Sequence, residues 1–108
     1  MQPSLEMKMK TQKTAEIEFL AYLISQGGEP VVGETYTVDC RLGNEGRGSW
    51  MRWSFEANTD QLKAAYLMAA EWANELAHDR SFLPASQQRE AKAAEYFTQF
   101  ASKFLRDN

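Results

Sequence analysis

Between Thr14 and Gln26 the apolar residues Ile17, Phe19, Leu20, Leu23 and Ile24 recur at three- and four-residue spacing, with Glu16, Glu18 and Ser25 between them. This period predicts an amphipathic helix. Gly27-Gly28 ends it, because glycine reaches the left-handed conformation common at helix C-termini, and Pro30 keeps the helix from resuming. From Glu34 to Leu42 the period changes to two. Tyr36, Val38, Cys40 and Leu42 share one face and Thr35, Thr37, Asp39 and Arg41 the other, the signature of a half-buried strand. The three glycines at 43, 46 and 48 suit a hairpin loop. In the second strand, Trp50 to Ala57, the set Met51, Trp53, Phe55 and Ala57 faces the same side as Tyr36 and Val38, which leaves Trp50, Arg52, Ser54 and Glu56 pointing outward. Val31-Val32 offers a third, short strand, against which Gly33 argues.

Asn58 followed by Gln61 has capping-box spacing, and Asp60 places negative charge in the first helical turn, where the helix dipole favours it. A long helix is expected from there to about Asp79, rich in Ala64, Ala65, Ala69, Ala70, Ala73 and Ala77 and anchored by Leu62, Tyr66, Met68, Trp72 and Leu76. Pro84 biases Leu83 out of the helical region and marks a break at Arg80 to Pro84. A last helix, from Ala85 or Ser86 to Leu105, presents Ala93, Phe97, Phe100, Ala101, Phe104 and Leu105 as one stripe. The order is α-β-β-α-α, an α+β fold in which a small antiparallel hairpin, or a three-stranded sheet, packs against three helices. A lone hairpin is marginal in water and needs that cover. Residues 1–13 are expected to be a flexible leader and 14–108 a single domain.

The 108 residues allow one core, and 44% hydrophobic with 25% charged residues match an ordinary globular chain rather than a disordered or fibrous one. The formal charge of −3 is too small to mark a basic nucleic-acid arm or an acidic phosphate mimic. No apolar run approaches the roughly 20 residues that span a bilayer, and MQPSLEMKMK lacks the apolar stretch and cleavage site of a secretory signal. The lone cysteine, Cys40, rules out an intrachain disulfide and fits a reducing compartment, so a cytoplasmic location is expected.

The usual chemistry is missing from the sequence. His78 falls near a helix end, where it can interact with the dipole. Glu75-Leu-Ala-His78, with Glu71 one turn earlier, has the Glu-x-x-His spacing of di-iron bundles, but such a centre takes the motif from two helices, and this chain has one histidine. Cys40 occupies an inward strand position without a neighbouring histidine. The loop at 43–48 lacks the phosphate-binding pattern and leads into a strand rather than a helix. No metal, no cofactor and no enzymatic activity are expected.

What remains is surface. Arg41 and Arg52 belong to the outer face of the hairpin, Arg47 to its tip, and Trp50 to the same outer face. Arginine and tryptophan are enriched at binding hot spots. These four form the candidate partner-binding set, with Leu67 as a second contact point; the alanine-rich helix also raises the option of a homodimer. The stretch Thr14 to Leu76, particularly Tyr36-Thr-Val-Asp-Cys-Arg-Leu-Gly43 followed by a hairpin and an Ala-rich helix, resembles a double-stranded RNA-binding domain in topology. That family opens its last helix with a lysine cluster, whereas this chain has Asn58-Thr-Asp-Gln61 with Lys63 alone nearby, so the resemblance implies a fold and not RNA binding. The expected function is a non-catalytic protein-binding module, such as a small inhibitor, adaptor or regulator, a size and composition compatible with a phage or other mobile-element origin. The alternative is a nucleic-acid-binding domain in which Trp50 stacks on a base beside the arginines.

Overall fold

In chain order the elements are β1 (Met9–Lys10), α1 (Gln12–Ser25), β2 (Thr35–Arg41), β3 (Gly43–Asn44), β4 (Trp50–Glu56), α2 (Thr59–Ala77) and α3 (Pro84–Arg106). The computed structural model describes residues 9–44 and 47–106. The three helices and the two long strands follow the α-β-β-α-α order read from the periodicities, and the fold is α+β. Residues 1–8 of the expected leader lie outside the described residues. Its last residues have defined places: Met9 and Lys10 pair antiparallel with Asn44 and Gly43, and Thr11 caps α1 by accepting from the Thr14 N–H at 3.2 Å.

Helix α1 stops where its glycines require. Gly27 adopts a φ of 94°, Gly27 N–H donates to the Ile24 carbonyl at 3.0 Å, and Gly28 N–H donates to the Leu23 carbonyl at 2.8 Å. This is the Schellman arrangement, which satisfies carbonyls that the helix end would otherwise leave without donors. Val31 and Val32 do not form the third strand considered above; they lie exposed in a turn closed by Glu34 N–H to the Val31 carbonyl at 3.2 Å. Gly33, with a φ of 92°, and Glu34 together oppose Ala57, a glycine bulge that starts β2 with its side chains in phase. The added strand pairing comes instead from the short β1–β3 ladder, separate from the main sheet.

Strands β2 and β4 pair antiparallel from Thr35↔Glu56 to Arg41↔Trp50. The expected alternation holds, with Tyr36, Val38, Trp53 and Phe55 on the covered face. Its burial declines from the C-terminal end of β4 back to its start. Ala57, just past the strand, is 2% exposed, Phe55 and Trp53 are half-buried, and Met51 is 43% exposed although it lies on the covered face. The distal end of the hairpin therefore projects past the helices. Cys40, opposite Met51, is half-buried for the same reason.

The core gathers Leu20, Ala21 and Ile24 of α1, Leu62, Ala65, Tyr66 and Ala69 of α2, Ala101 of α3, and Ala57. Alanines at 65, 69 and 73 repeat every fourth residue on the inner face of α2, and small side chains there let flanking helices approach closely. Two positions depart from the expected stripes. Leu76 is exposed near the end of α2, and Ala94 rather than Ala93 is the buried alanine of α3, in line with Ala101 one heptad later. Pro84 opens α3, where its missing N–H costs nothing, one or two residues before the expected start.

One carboxylate fastens α1 to two other elements. Glu16 Oε2 accepts from the Trp53 indole Nε1–H at 2.8 Å, and Glu16 Oε1 accepts from the Gln61 side-chain amide at 2.6 Å. Gln61 is 8% exposed and also completes the capping box, its N–H donating to Asn58 Oδ1 at 2.8 Å and its own Oε1 accepting from the Asn58 N–H at 3.2 Å. Replacing Glu16 by Ala leaves the Gln61 amide and the Trp53 indole without their acceptor. Urea denaturation of Glu16→Ala is expected to show a loss of about 2–3 kcal/mol. Glu18→Ala, which removes only the half-buried but solvent-accessible pair with Lys10, is expected to stay within about 1 kcal/mol. Gly27→Ala should cost about 1–2 kcal/mol, readable in the same titration, purely for the left-handed backbone, because an added methyl group would meet no atom within 4 Å.

Candidate functional site

The outer face of the hairpin is built from cross-strand pairs. Thr37 and Ser54 share a hydroxyl hydrogen bond at 3.0 Å, Arg52 Nη2 donates to Asp39 Oδ2 at 2.8 Å, and the Arg41 guanidinium carbon lies 5.6 Å from the centre of the Trp50 ring. Each pair is a direct register partner across β2 and β4. The hydrogen bond to Asp39, reinforced by the carboxylate's charge, raises the Arg52 pKa further above its already high usual value. Every residue of this face from Thr35 to Arg41 and from Trp50 to Glu56 is exposed.

Trp50 is 64% exposed. Its indole extends into solvent at the far end of the strand pair, held from one side by Arg41 through cation–π attraction. Three of the four sequence-predicted residues, Arg41, Trp50 and Arg52, thus share one surface. Arg52 is engaged by Asp39, so it enters as half of an ion pair rather than as a bare cation. Arg47 lies exposed in the loop that closes the hairpin, beside residues 45–46, which are outside the described set. Among the face residues named in the strands, Asp39 and Glu56 balance Arg41 and Arg52, so the face carries no net charge.

Periodicity alone missed a second apolar residue at this end. Met51 was assigned to the core by alternation, yet it projects from the opposite face of the same strand end. Trp50 and Met51 together make the distal hairpin apolar on both sides. Its exposure was not readable from period two, which gives the face and not the reach of the covering layer.

The remaining candidates are dispersed. His78 is the C-cap of α2, its Nδ1–H donating to the Asn74 carbonyl at 2.8 Å, in keeping with the helix-end placement read from sequence. Glu71 and Glu75 are exposed on α2. Among the described residues no group of three His, Cys, Asp or Glu side chains is placed to hold a metal ion. Among the same residues no helix is long and apolar enough to cross a membrane. A groove of about 640 Å³ runs between α2 and α3 past the exposed Leu67, and another of about 460 Å³ lies between α1 and the free edge of β2. Compared with known proteins, the chain matches no family model, no curated protein and no solved structure.

Because the two strand tryptophans differ in environment, their removal should separate surface from structure. Trp50→Ala is expected to leave the urea midpoint within about 0.5 kcal/mol of the parent. Trp53→Ala, which vacates the covered face and strips Glu16 of a donor, should lower stability by about 3 kcal/mol in the same experiment.

Proposed function

We propose that this chain is a non-catalytic protein-binding module, a small cytoplasmic inhibitor, adaptor or regulator that docks on a partner protein through the distal end of its hairpin. Trp50 is the anchor, Arg41 holds its ring, Arg47 lies at the rim, and the Asp39–Arg52 pair sets polar register beside it. The observation that carries the reading is the solvent-facing indole seated on a guanidinium at the tip of a projecting strand pair. Burying such an anchor in a partner's pocket removes a large apolar surface from water. Arg41 limits the ring's motion before binding, which lowers the entropy lost on docking.

The nucleic-acid alternative is disfavoured by the charge of this face. Phosphate binding draws on unneutralised cations, whereas here Asp39 occupies Arg52 and the Arg41 guanidinium lies against the Trp50 ring. An exposed tryptophan beside a neutral polar ladder suits a protein pocket better than a polyanion.

The test compares wild-type and Trp50→Ala chains for capture of a partner from native lysate, with affinity then measured on the purified pair. Trp50→Ala should weaken binding by about 30-fold, equivalent to about 2 kcal/mol, with little change between low and moderate salt. Equal affinity from a folded Trp50→Ala chain overturns the proposal. So does a fluorescent oligonucleotide that binds at low salt, is released steeply as salt rises, and is lost in Arg41→Ala combined with Arg47→Ala. Sedimentation of the free chain checks the homodimer option, since self-association abolished by Trp50→Ala would make a second copy the occupant.

A further inference from the structure

Strand β2 pairs with β4 along one edge, and the direction of its other backbone groups follows from the bulge that precedes it. Ala57 N–H donates to the Glu34 carbonyl at 3.0 Å and Gly33 N–H donates to the Ala57 carbonyl at 2.9 Å, so Glu34 faces β4. Hydrogen-bonded and non-hydrogen-bonded positions alternate along an antiparallel pair. Tyr36, Val38 and Cys40 therefore exchange bonds with β4, while Thr35, Thr37, Asp39 and Arg41 turn their N–H and carbonyl groups to the opposite edge. Among the described residues no strand pairs with that edge from 35 to 41. Proline, a bulge and an inward-pointing charge are common protections of an exposed edge, and none falls within these residues.

We infer that this edge pairs with the same edge of a second copy of the chain, antiparallel about a two-fold axis at Val38, to make one four-stranded sheet. In that register Thr35 lies opposite the partner's Arg41, Thr37 opposite the partner's Asp39 and Val38 opposite the partner's Val38. Every outward N–H and carbonyl of both strands then has a partner. A two-stranded sheet gains the additional strands that independent stability of a sheet requires.

Three observations select this occupant and this register. Strand β1 stands opposite Gly43 and Asn44, just past Arg41, so an added strand has room alongside 35–41 and not beyond. Lys10 and Arg41 make one end of the edge positive and Glu34 makes the other negative, so antiparallel copies bring opposite charges together where parallel ones would bring like charges together. The groove of about 460 Å³ beside the edge is lined by Ala15, Phe19 and Tyr22 of α1 with Val38 and Trp72, and Tyr22 is 56% exposed. Because α1 covers one face of the sheet, a two-fold axis normal to that sheet brings the two α1 helices toward each other over the seam and covers both grooves. The seam runs along β2 and α1, whereas the Trp50 anchor is on β4, so this inference and the partner-binding reading fail separately.

The experiment is sedimentation equilibrium of the full chain over a range of concentrations. A reversible dimer of twice the 12.3 kDa chain mass is expected, and Trp50→Ala should leave its dissociation constant unchanged. Thr37→Pro deletes an N–H that points away from β4, a position where edge strands tolerate proline, and should weaken dimerisation about tenfold or more with the circular dichroism of the parent retained. A covalent arm is independent of how that variant folds. In Val38→Cys combined with Cys40→Ser, the two thiols meet across a non-hydrogen-bonded pair with Cα atoms about 4.5 Å apart, within disulfide reach, and mild oxidation should give a linked dimer. The wild-type chain, whose Cys40 lies opposite the partner's Tyr36, should not link. A monomer at every concentration overturns the inference, and so does a dimer that survives in folded Thr37→Pro or gives no link at position 38, the pattern expected of contact through the alanine-rich α2. A chain that dimerises only after residues 1–8 are removed also overturns it and makes that segment the occupant of the edge. Loss of the dimer in Trp50→Ala assigns self-association to the hairpin tip instead.

Discussion

Glu16 ties the hairpin to two helices that pack on each other but meet it through few contacts. The β2–β4 hairpin has only two long strands, and its covered face meets α1 through a limited contact, so hydrophobic burial alone does not fix its angle to the helices. The two carboxylate oxygens do. One receives the Trp53 indole from β4 and the other receives the Gln61 amide at the start of α2, so strand, helix cap and α1 are set at hydrogen-bond distance from one group. Directional bonds to a charged acceptor are stronger than neutral ones and tolerate little displacement. The capping box that begins α2 is thereby tied to the hairpin that precedes it, and the position of the whole helical layer follows.

That layer is shorter than the hairpin it covers. Burial falls from Ala57 to Met51 as β4 runs out beyond α1 and α2, and α3 packs chiefly on α2 rather than on the sheet. The overhanging strands are held in register by their own outer-face pairs, Thr37 with Ser54, Asp39 with Arg52 and Arg41 with Trp50. Such cross-strand pairs add modest stability each, enough to order a hairpin whose base is already anchored. The outcome is a strand end left outside the helical cover, with Trp50 exposed on one face and Met51 on the other.

At the other end of the molecule, the aromatic residues do a different job. Tyr66 is fixed within the core by stacking on Phe100, while Phe97 and Tyr96 turn progressively outward along α3. The turn after α1 passes in front of them, with Gly27 and Gly28 between Ser25 and Glu29. The two glycines, lacking side chains, leave a concave space of about 150 Å³ beside the aromatic cluster.

Much of the architecture was legible in local sequence, because helix periodicity, strand alternation, the Asn58–Gln61 box and the Gly27-Gly28 stop depend on neighbouring residues only. The outward face of Trp50 and Arg52 was legible for the same reason. What the chain's sequence did not reveal is where separate periodic faces end against one another. Glu16 reads as a polar spacer, although it shares a face with Leu20 and Ile24 four and eight residues later, and Gln61 leads the stripe of Ala65, Ala69 and Ala73 in the same way. Those two polar interruptions of apolar stripes were the available signal, but their meeting is set by packing across 45 residues of chain. Periodicity determined which way each side chain points. Only the tertiary structure decided which of those side chains found cover, since the extent of a covering layer is a property of elements distant in sequence, and on that rest the exposure of Met51 and the cavity beside Tyr96.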